Sequence, residues 1–229
     1  TGIFLGAFMV FLGLSAGIFA VLDVKFPEVL VASVVTWGIG AVPIAALASA
    51  YLPERLPAQQ NWEQGLAKTL LILTRLLTPL ALLVLTVYLF GYIPMHFEGA
   101  FEERELLIVY NATIVAIIMP LCAAASGGAE HDSKVLRYAL LALACLTFAL
   151  NLYAFSAIAY RTIDMGLTPN RHAVLGWNVV TLLMLAGICH TLWMHAENWA
   201  EGFARRVGQL LPLPLCWSLW MTVAAPLVR

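Results

Sequence analysis

Seven uninterrupted apolar runs, each long enough to cross a lipid bilayer, decide what this chain can be. They fall at about 2–22, 29–52, 66–92, 106–125, 135–159, 173–194 and 209–228. A membrane-spanning helix needs about 20 mostly apolar residues, and the first run, "GIFLGAFMVFLGLSAGIFAVL", shows the pattern. None alternates with period two, so the runs read as helices rather than barrel strands. The last run holds Pro212 and Pro214 early and Pro226 near its end. It is expected to kink, to lie partly in the interface, or to start late. Only 11% of the 229 residues are charged, where a soluble domain has about 25%. The mean hydropathy is +0.89, and no water-soluble fold of this size could hide so much apolar surface. The expectation is therefore all-α: a single polytopic transmembrane helix bundle over residues 1–229 with about seven spans. Thr1 opens directly on an apolar run with no basic segment before it, so the chain is expected to be part of a longer protein.

The connections are short. The longest are "PERLPAQQNWEQG" (53–65), "IPMHFEGAFEERE" (93–105) and "HAENWAEGFARRVG" (195–208), and none could hold a soluble domain. The third sets Trp199 and Phe203 on a charged background, the pattern of a helix lying in the membrane interface. Orientation follows the Lys/Arg bias of short loops. Arg55, Lys68, Lys134, Arg137, Arg205 and Arg206, with Arg75 beside them, gather on one side. Lys25, Arg104, Arg161, Arg171 and Arg229 gather on the other. The bias places loops 53–65, 126–134 and 195–208 in the cytoplasm, and the acidic group Glu98, Glu102, Glu103 and Glu105 outside.

Against this apolar background the few polar and small residues stand out. Gly2 and Gly6, then Gly13 and Gly17, have the spacing that lets two membrane helices approach closely. They are read as helix-packing positions, within the bundle or against another chain. Arg75 lies inside the third run; its long side chain either reaches the head groups or marks a polar pathway or a lipid-phosphate contact. Asn111, Asn151 and Asn178 are read as interhelical hydrogen-bonding amides. His190 and His195 are five apart and point about 140° away from each other, so they form no two-histidine metal pair. Cys122, Cys145, Cys189 and Cys216 lack metal or disulfide spacing and read as buried small apolar side chains.

No Asp, Glu or Lys sits at the centre of a run, which weighs against a proton-coupled carrier. The sequence holds no nucleophile elbow, HExxH, phosphate loop or GxGxxG. No catalytic residue, metal ligand or cofactor is therefore expected; bound lipids are. The balance of 12 basic against 13 acidic residues offers no surface for nucleic acid.

The segment "YRTIDMGLTPNRH" (160–172) sets two arginines, an aspartate, a histidine, a glycine and a Thr-Pro pair between two apolar runs. It reads as a helix ending near Met165, a turn glycine at Gly166, an N-cap at Thr168 and Pro169 at the first helical position. Arg161 and Asp164 are spaced to pair. Within it, Arg161, Gly166, Leu167, Thr168, Pro169 and Arg171 carry a resemblance to a bacterial multi-span membrane family known as domain of unknown function 4153. "LTRLLTPLALLVLTVYLFGYI" upstream is similar to that family's Pro-Leu helix, and the likeness covers roughly 68–190. Met165 and His172 stand where that family would have aromatics, the mark of a divergent member. The resemblance implies a bacterial inner-membrane protein, typically longer than this chain, and implies no activity.

Three functions fit the residues. The first is a non-enzymatic accessory or scaffold subunit that packs against other membrane protein subunits. The second is a small-solute transporter or permease. The third is an intramembrane enzyme acting on lipid-linked phosphate. Arg161, Arg171 and Arg75 are the candidate contacts for an anionic lipid or a partner.

Overall fold

The computed structural model describes residues 62–125, 133–194 and 198–224, together with Ala32, Ser33, Thr36 and Trp37. The first expected span, with Gly2, Gly6, Gly13 and Gly17, lies outside the described residues, and so does the second apart from those four helical residues. The described chain is helical. Helix α1 (Trp62–Val87) runs through a π-helical turn (Tyr88–Tyr92) into a last turn, Ile93–Met95. There follow α2 (Gly99–Glu102), α3 (Arg104–Ala125), α4 (Lys134–Met165), α5 (Pro169–Met194), α6 (Trp199–Leu210) and α7 (Pro212–Leu219), which continues into a π-helical turn, Trp220–Ala224. Four stretches are long and apolar enough to cross a membrane: Leu77–Met95, Arg104–Ala125, Lys134–Met165 and Pro169–Met194. They are the third to sixth of the seven expected runs.

Helix α4 is the centre of the bundle and packs on α5, α3 and α1. It is apolar around its whole circumference, the pattern of a helix enclosed by others. Leu140, Leu143, Ala144, Leu150, Ala154 and Ala157 are fully buried on it, against Ile114 and Leu121 of α3 and Leu185, Ile188 and Leu192 of α5. In hydrocarbon each polar group needs an internal partner. Three buried threonines find one on their own helix: Thr113 donates to Val109 O at 2.8 Å, Thr147 to Leu143 O at 2.7 Å, and Thr191 to Gly187 O at 2.9 Å; the buried Thr78 hydroxyl has none among the described residues.

The π-helical turn has a local cause. Pro94 has no N–H and its ring crowds the carbonyl four residues back, so the helix widens just before it. The widening places Tyr88, buried, edge-on to Tyr110 of α3 with ring centroids 5.6 Å apart. The 93–105 connection then folds inward. Phe97 packs on Tyr153 of α4 at 5.3 Å, Phe101 on Tyr160 at 5.6 Å, and the Tyr153 hydroxyl donates to Phe97 O at 2.6 Å. Ala100 is fully buried, while Glu98, Glu102, Glu103 and Glu105 are exposed.

Residues 199–217 form an antiparallel partner to α5. Trp199, Phe203 and Val207, spaced four apart, are the buried face of α6, which lies across α5 and α3. The amphipathic pattern is thus carried by a packed helix over Trp199–Leu210, with Arg205 exposed on its far side. Leu211 keeps helical dihedrals and donates its N–H to Val207 O at 3.0 Å, although a following proline disfavours that region; Pro212 itself sits at a first helical position, where a missing N–H costs nothing. Residues 206, 210 and 217 meet 191, 187 and 176 in turn along α5. The close approach depends on Gly176. A methyl group there would fall 2.0 Å from the Trp217 ring, whose Nε1 donates to Ala173 O at 3.3 Å.

Candidate functional site

Helices α3, α4 and α5 alternate in direction, so the start of α3, the end of α4 and the start of α5 share one face of the bundle. Each brings an arginine to that level: Arg104 opens α3, Arg161 lies in the last turns of α4, and Arg171 is the third residue of α5. All three line one cleft of about 510 Å³, with Leu107, Ile108, Asn111, Ile158, Thr168, Asn170 and Val174.

The turn joining α4 to α5 builds half of this cleft. Gly166 has φ +81°, a region that side chains with a Cβ rarely adopt. The Thr168 hydroxyl accepts from Arg171 N at 3.3 Å, the N-cap bond its position calls for. Arg171 folds back over the turn, its Nη1 donating to Gly166 O at 2.7 Å and its Nη2 lying 3.3 Å from Met165 Sδ. Arg161 points differently. Its Nη1 is buried with no hydrogen-bond partner among the described residues, and it does not form the expected pair with Asp164, which is exposed.

A second layer lies deeper. Leu107 and Ile108 follow Arg104 by three and four residues, Ile158 precedes Arg161 by three, and Val174 follows Arg171 by three. At 1.5 Å per residue these apolar side chains sit about 5 Å nearer the bilayer centre than the guanidiniums. The cleft is therefore cationic at its mouth and apolar one turn below. Two of its three helices present N-termini, whose dipoles favour an anion.

Asn111 connects the cleft to the interior. It accepts from Asn178 Nδ2 at 2.9 Å, joining α3 to α5, while its own Nδ2 donates to Leu107 O at 2.8 Å. Asn151 Nδ2 donates to Thr181 Oγ1 at 2.7 Å, joining α4 to α5. The three expected amides are thus interhelical. Asn151 and Asn178 are fully buried, and the Oδ1 atom of each has no hydrogen-bond partner among the described residues.

Arg75 is elsewhere. It is exposed on α1, just before the Leu77–Met95 span. Twenty residues separate it from Met95, about 30 Å of helix, so it lies at the opposite membrane face from the cleft. That face holds another arginine, Arg137. It is buried on α4 and donates to Leu192 O at 2.8 Å and Trp193 O at 3.1 Å. It thereby caps the C-terminus of α5, where a cation suits the unpaired carbonyls.

Several of these residues were not singled out from the sequence. Arg104 reads there as one charge in an acidic loop, and Arg137 as a loop cation. The available signal was topological: arginines in the first turn of one span, the last turns of the next and the first turn of the one after converge on one face. The cysteines differ from expectation, since Cys145 and Cys216 are exposed and Cys122 and Cys189 only partly buried. Helix packing brings Cys145 Sγ within 3.6 Å of Cys189 Sγ on the outer side of the α4–α5 pair. Among the described residues no group of three or more His, Cys, Asp or Glu side chains is placed to hold a metal ion. No protein-family model, curated protein or solved structure matches the chain.

Proposed function

We propose that this chain is a non-enzymatic integral membrane protein, an accessory or scaffold subunit of a complex in a bacterial inner membrane, and that its arginine cleft holds the anionic head group of a lipid. The observation that carries the lipid part is the layering of the cleft, with three guanidiniums at one level and apolar side chains one turn below. A phosphate suits the planar forks of Arg, and its tail would continue along Ile108 and Val174. The described residues lining the cleft are Arg, Asn, Thr and aliphatic, a set that binds an anion and supplies no general base for hydrolysis. The likeness of residues 161–171 to domain of unknown function 4153 supports the bacterial setting, and the Lys/Arg bias turns the cleft away from the cytoplasm.

A small-solute permease is the second reading. It is favoured by the amide ladder, which leads from Asn111 in the cleft to Asn178 and Asn151 inside the bundle.

The test is extraction into native-lipid discs, followed by native mass spectrometry and identification of co-purifying proteins. The expected result is retained anionic lipid on the wild-type chain, reduced by about ten-fold or more in the Arg161→Gln/Arg171→Gln variant, and a stoichiometric protein partner. Equal lipid on both chains would sink the lipid assignment, and recovery of a lone chain would sink the scaffold assignment.

A further inference from the structure

We infer that the cleft discriminates by phosphate charge: it takes a lipid carrying a phosphomonoester or diphosphate in preference to a lipid with a single phosphodiester. The inference rests on the lipid-binding reading above and adds the chemical class of the head group.

The cleft gathers three guanidiniums, and none of the described residues lining it is a carboxylate. Arginine does not deprotonate in proteins, so neighbouring guanidiniums repel one another unless an anion neutralises them. The repulsion is strongest around Arg161, whose Nη1 is shut off from solvent, and weaker at Arg104, which is exposed. A phosphodiester brings one negative charge and leaves an excess of cation. A phosphomonoester brings up to two at neutral pH, and a diphosphate brings more.

Hydrogen-bond capacity points the same way. Arg104 and Arg161 make no side-chain hydrogen bond to the protein among the described residues, and Arg161 Nη1 is already stripped of water. Arg171 spends only part of its fork on Gly166 O and Met165 Sδ. Each guanidinium offers five N–H donors and binds best to a pair of oxygens. A phosphodiester has two free oxygens, too few for three forks. A monoester has three and a diphosphate five. Asn170 and the Thr168 hydroxyl stand at the same rim as further donors. Asn111 adds little, because its amide is engaged by Leu107 O and Asn178.

The lower layer argues that the phosphate arrives on a lipid. Leu107, Ile108, Ile158 and Val174 form the deep wall, and Ile108 is 57% exposed on the bundle surface. A free phosphate would leave that wall uncovered, whereas an acyl or isoprenoid chain would lie against it and leave through the exposed side.

The test uses the full chain in phosphatidylcholine nanodiscs at one fixed ionic strength, with occupancy read by native mass spectrometry. The probes are phosphatidylglycerol, phosphatidic acid, farnesyl diphosphate and inorganic pyrophosphate. Phosphatidic acid and farnesyl diphosphate are expected to bind about ten-fold or more tightly than phosphatidylglycerol. Arg161→Gln and Arg104→Gln should each narrow that ratio to about three-fold or less, and Arg75→Gln, at the other membrane face, should leave it unchanged. Arg171→Gln is read only if its unfolding midpoint matches wild type, because Arg171 also holds the turn; the other two variants carry the test in either case. Equal binding of phosphatidylglycerol and phosphatidic acid overturns the charge discrimination while leaving a lipid site. Pyrophosphate binding as tightly as farnesyl diphosphate overturns the lipid-borne class. Lipid binding that no cleft arginine affects overturns this inference and the lipid reading together.

Discussion

Replacing Gly176 by Ala should cost more than adding the same methyl group at Gly187 or Gly208. The added carbon would lie 2.0 Å from Trp217 Cζ2, 2.2 Å from Cη2 and 2.6 Å from Cε2. Ordinary contact begins near 3.4 Å, so the rigid indole must retreat by about 1.5 Å, or α5 and α7 must separate. Overpacking of this kind costs about 1–3 kcal/mol. Loss of the Trp217 Nε1 bond to Ala173 O adds about 0.6 kcal/mol, the mean for such bonds in a membrane protein. The sum is roughly 1.6–3.6 kcal/mol. Two controls calibrate it. At Gly208 nothing lies within 4 Å of the new methyl, and Gly→Ala there should be neutral or stabilising by up to about 1 kcal/mol. At Gly187 the methyl meets only the tip of Leu210, at 2.8 Å, and the cost should fall between. The assay is reversible unfolding in mixed detergent micelles, followed by helix content, with Trp217→Leu as the second arm of a double-mutant cycle. If Gly176→Ala is as stable as Gly208→Ala, or if Trp217→Leu gives no relief, the close approach of α5 and α7 is not what holds the last helix.

Arg137→Met removes both donors to the end of α5 and should destabilise by about 2–3 kcal/mol in the same assay, with Arg137→Lys recovering part of the loss; a change below about 0.5 kcal/mol contradicts the cap. Asn111→Ala and Asn178→Ala should couple by roughly 0.6 kcal/mol in a double-mutant cycle, since one donates to the other at 2.9 Å; additive losses would mean the bond is not made in the folded bundle.

Hydropathy made the four described spans legible because lipid leaves the backbone no alternative: a long apolar run must satisfy its own N–H and C=O groups, and a helix does so. The turn at 166–169 was legible for a similar reason, since Gly166, Thr168 and Pro169 each answer a local backbone demand. Side-chain partners were not. Arg161 looked ready to pair with Asp164 on its own helix, yet it turns toward α3 and α5, which sequence spacing on α4 does not report. Arg75 and Arg104 are alike as letters; only the alternating directions of the helices separate them to opposite faces. The packing glycines of α5 were hidden too, because Gly176 and Gly187 are eleven apart and match no small-residue pattern. Their significance comes from Trp217 and Leu210, which belong to the run whose prolines had marked it as irregular.

The Arg137 cap also bears on how the chain is made. Its acceptors lie 55 and 56 residues further along, so a ribosome completes nearly the whole of α4 and α5 before the arginine can meet them. Until then Arg137, four residues into its helix, has the head groups as its nearest solvent for a charge. Once Leu192 and Trp193 arrive, the open end of the hairpin is clasped, while Gly166 and Thr168 already close the other. Release of Arg137 from lipid phosphate onto those carbonyls would then mark the moment at which the pair becomes a finished unit on which α3 and α6 can assemble.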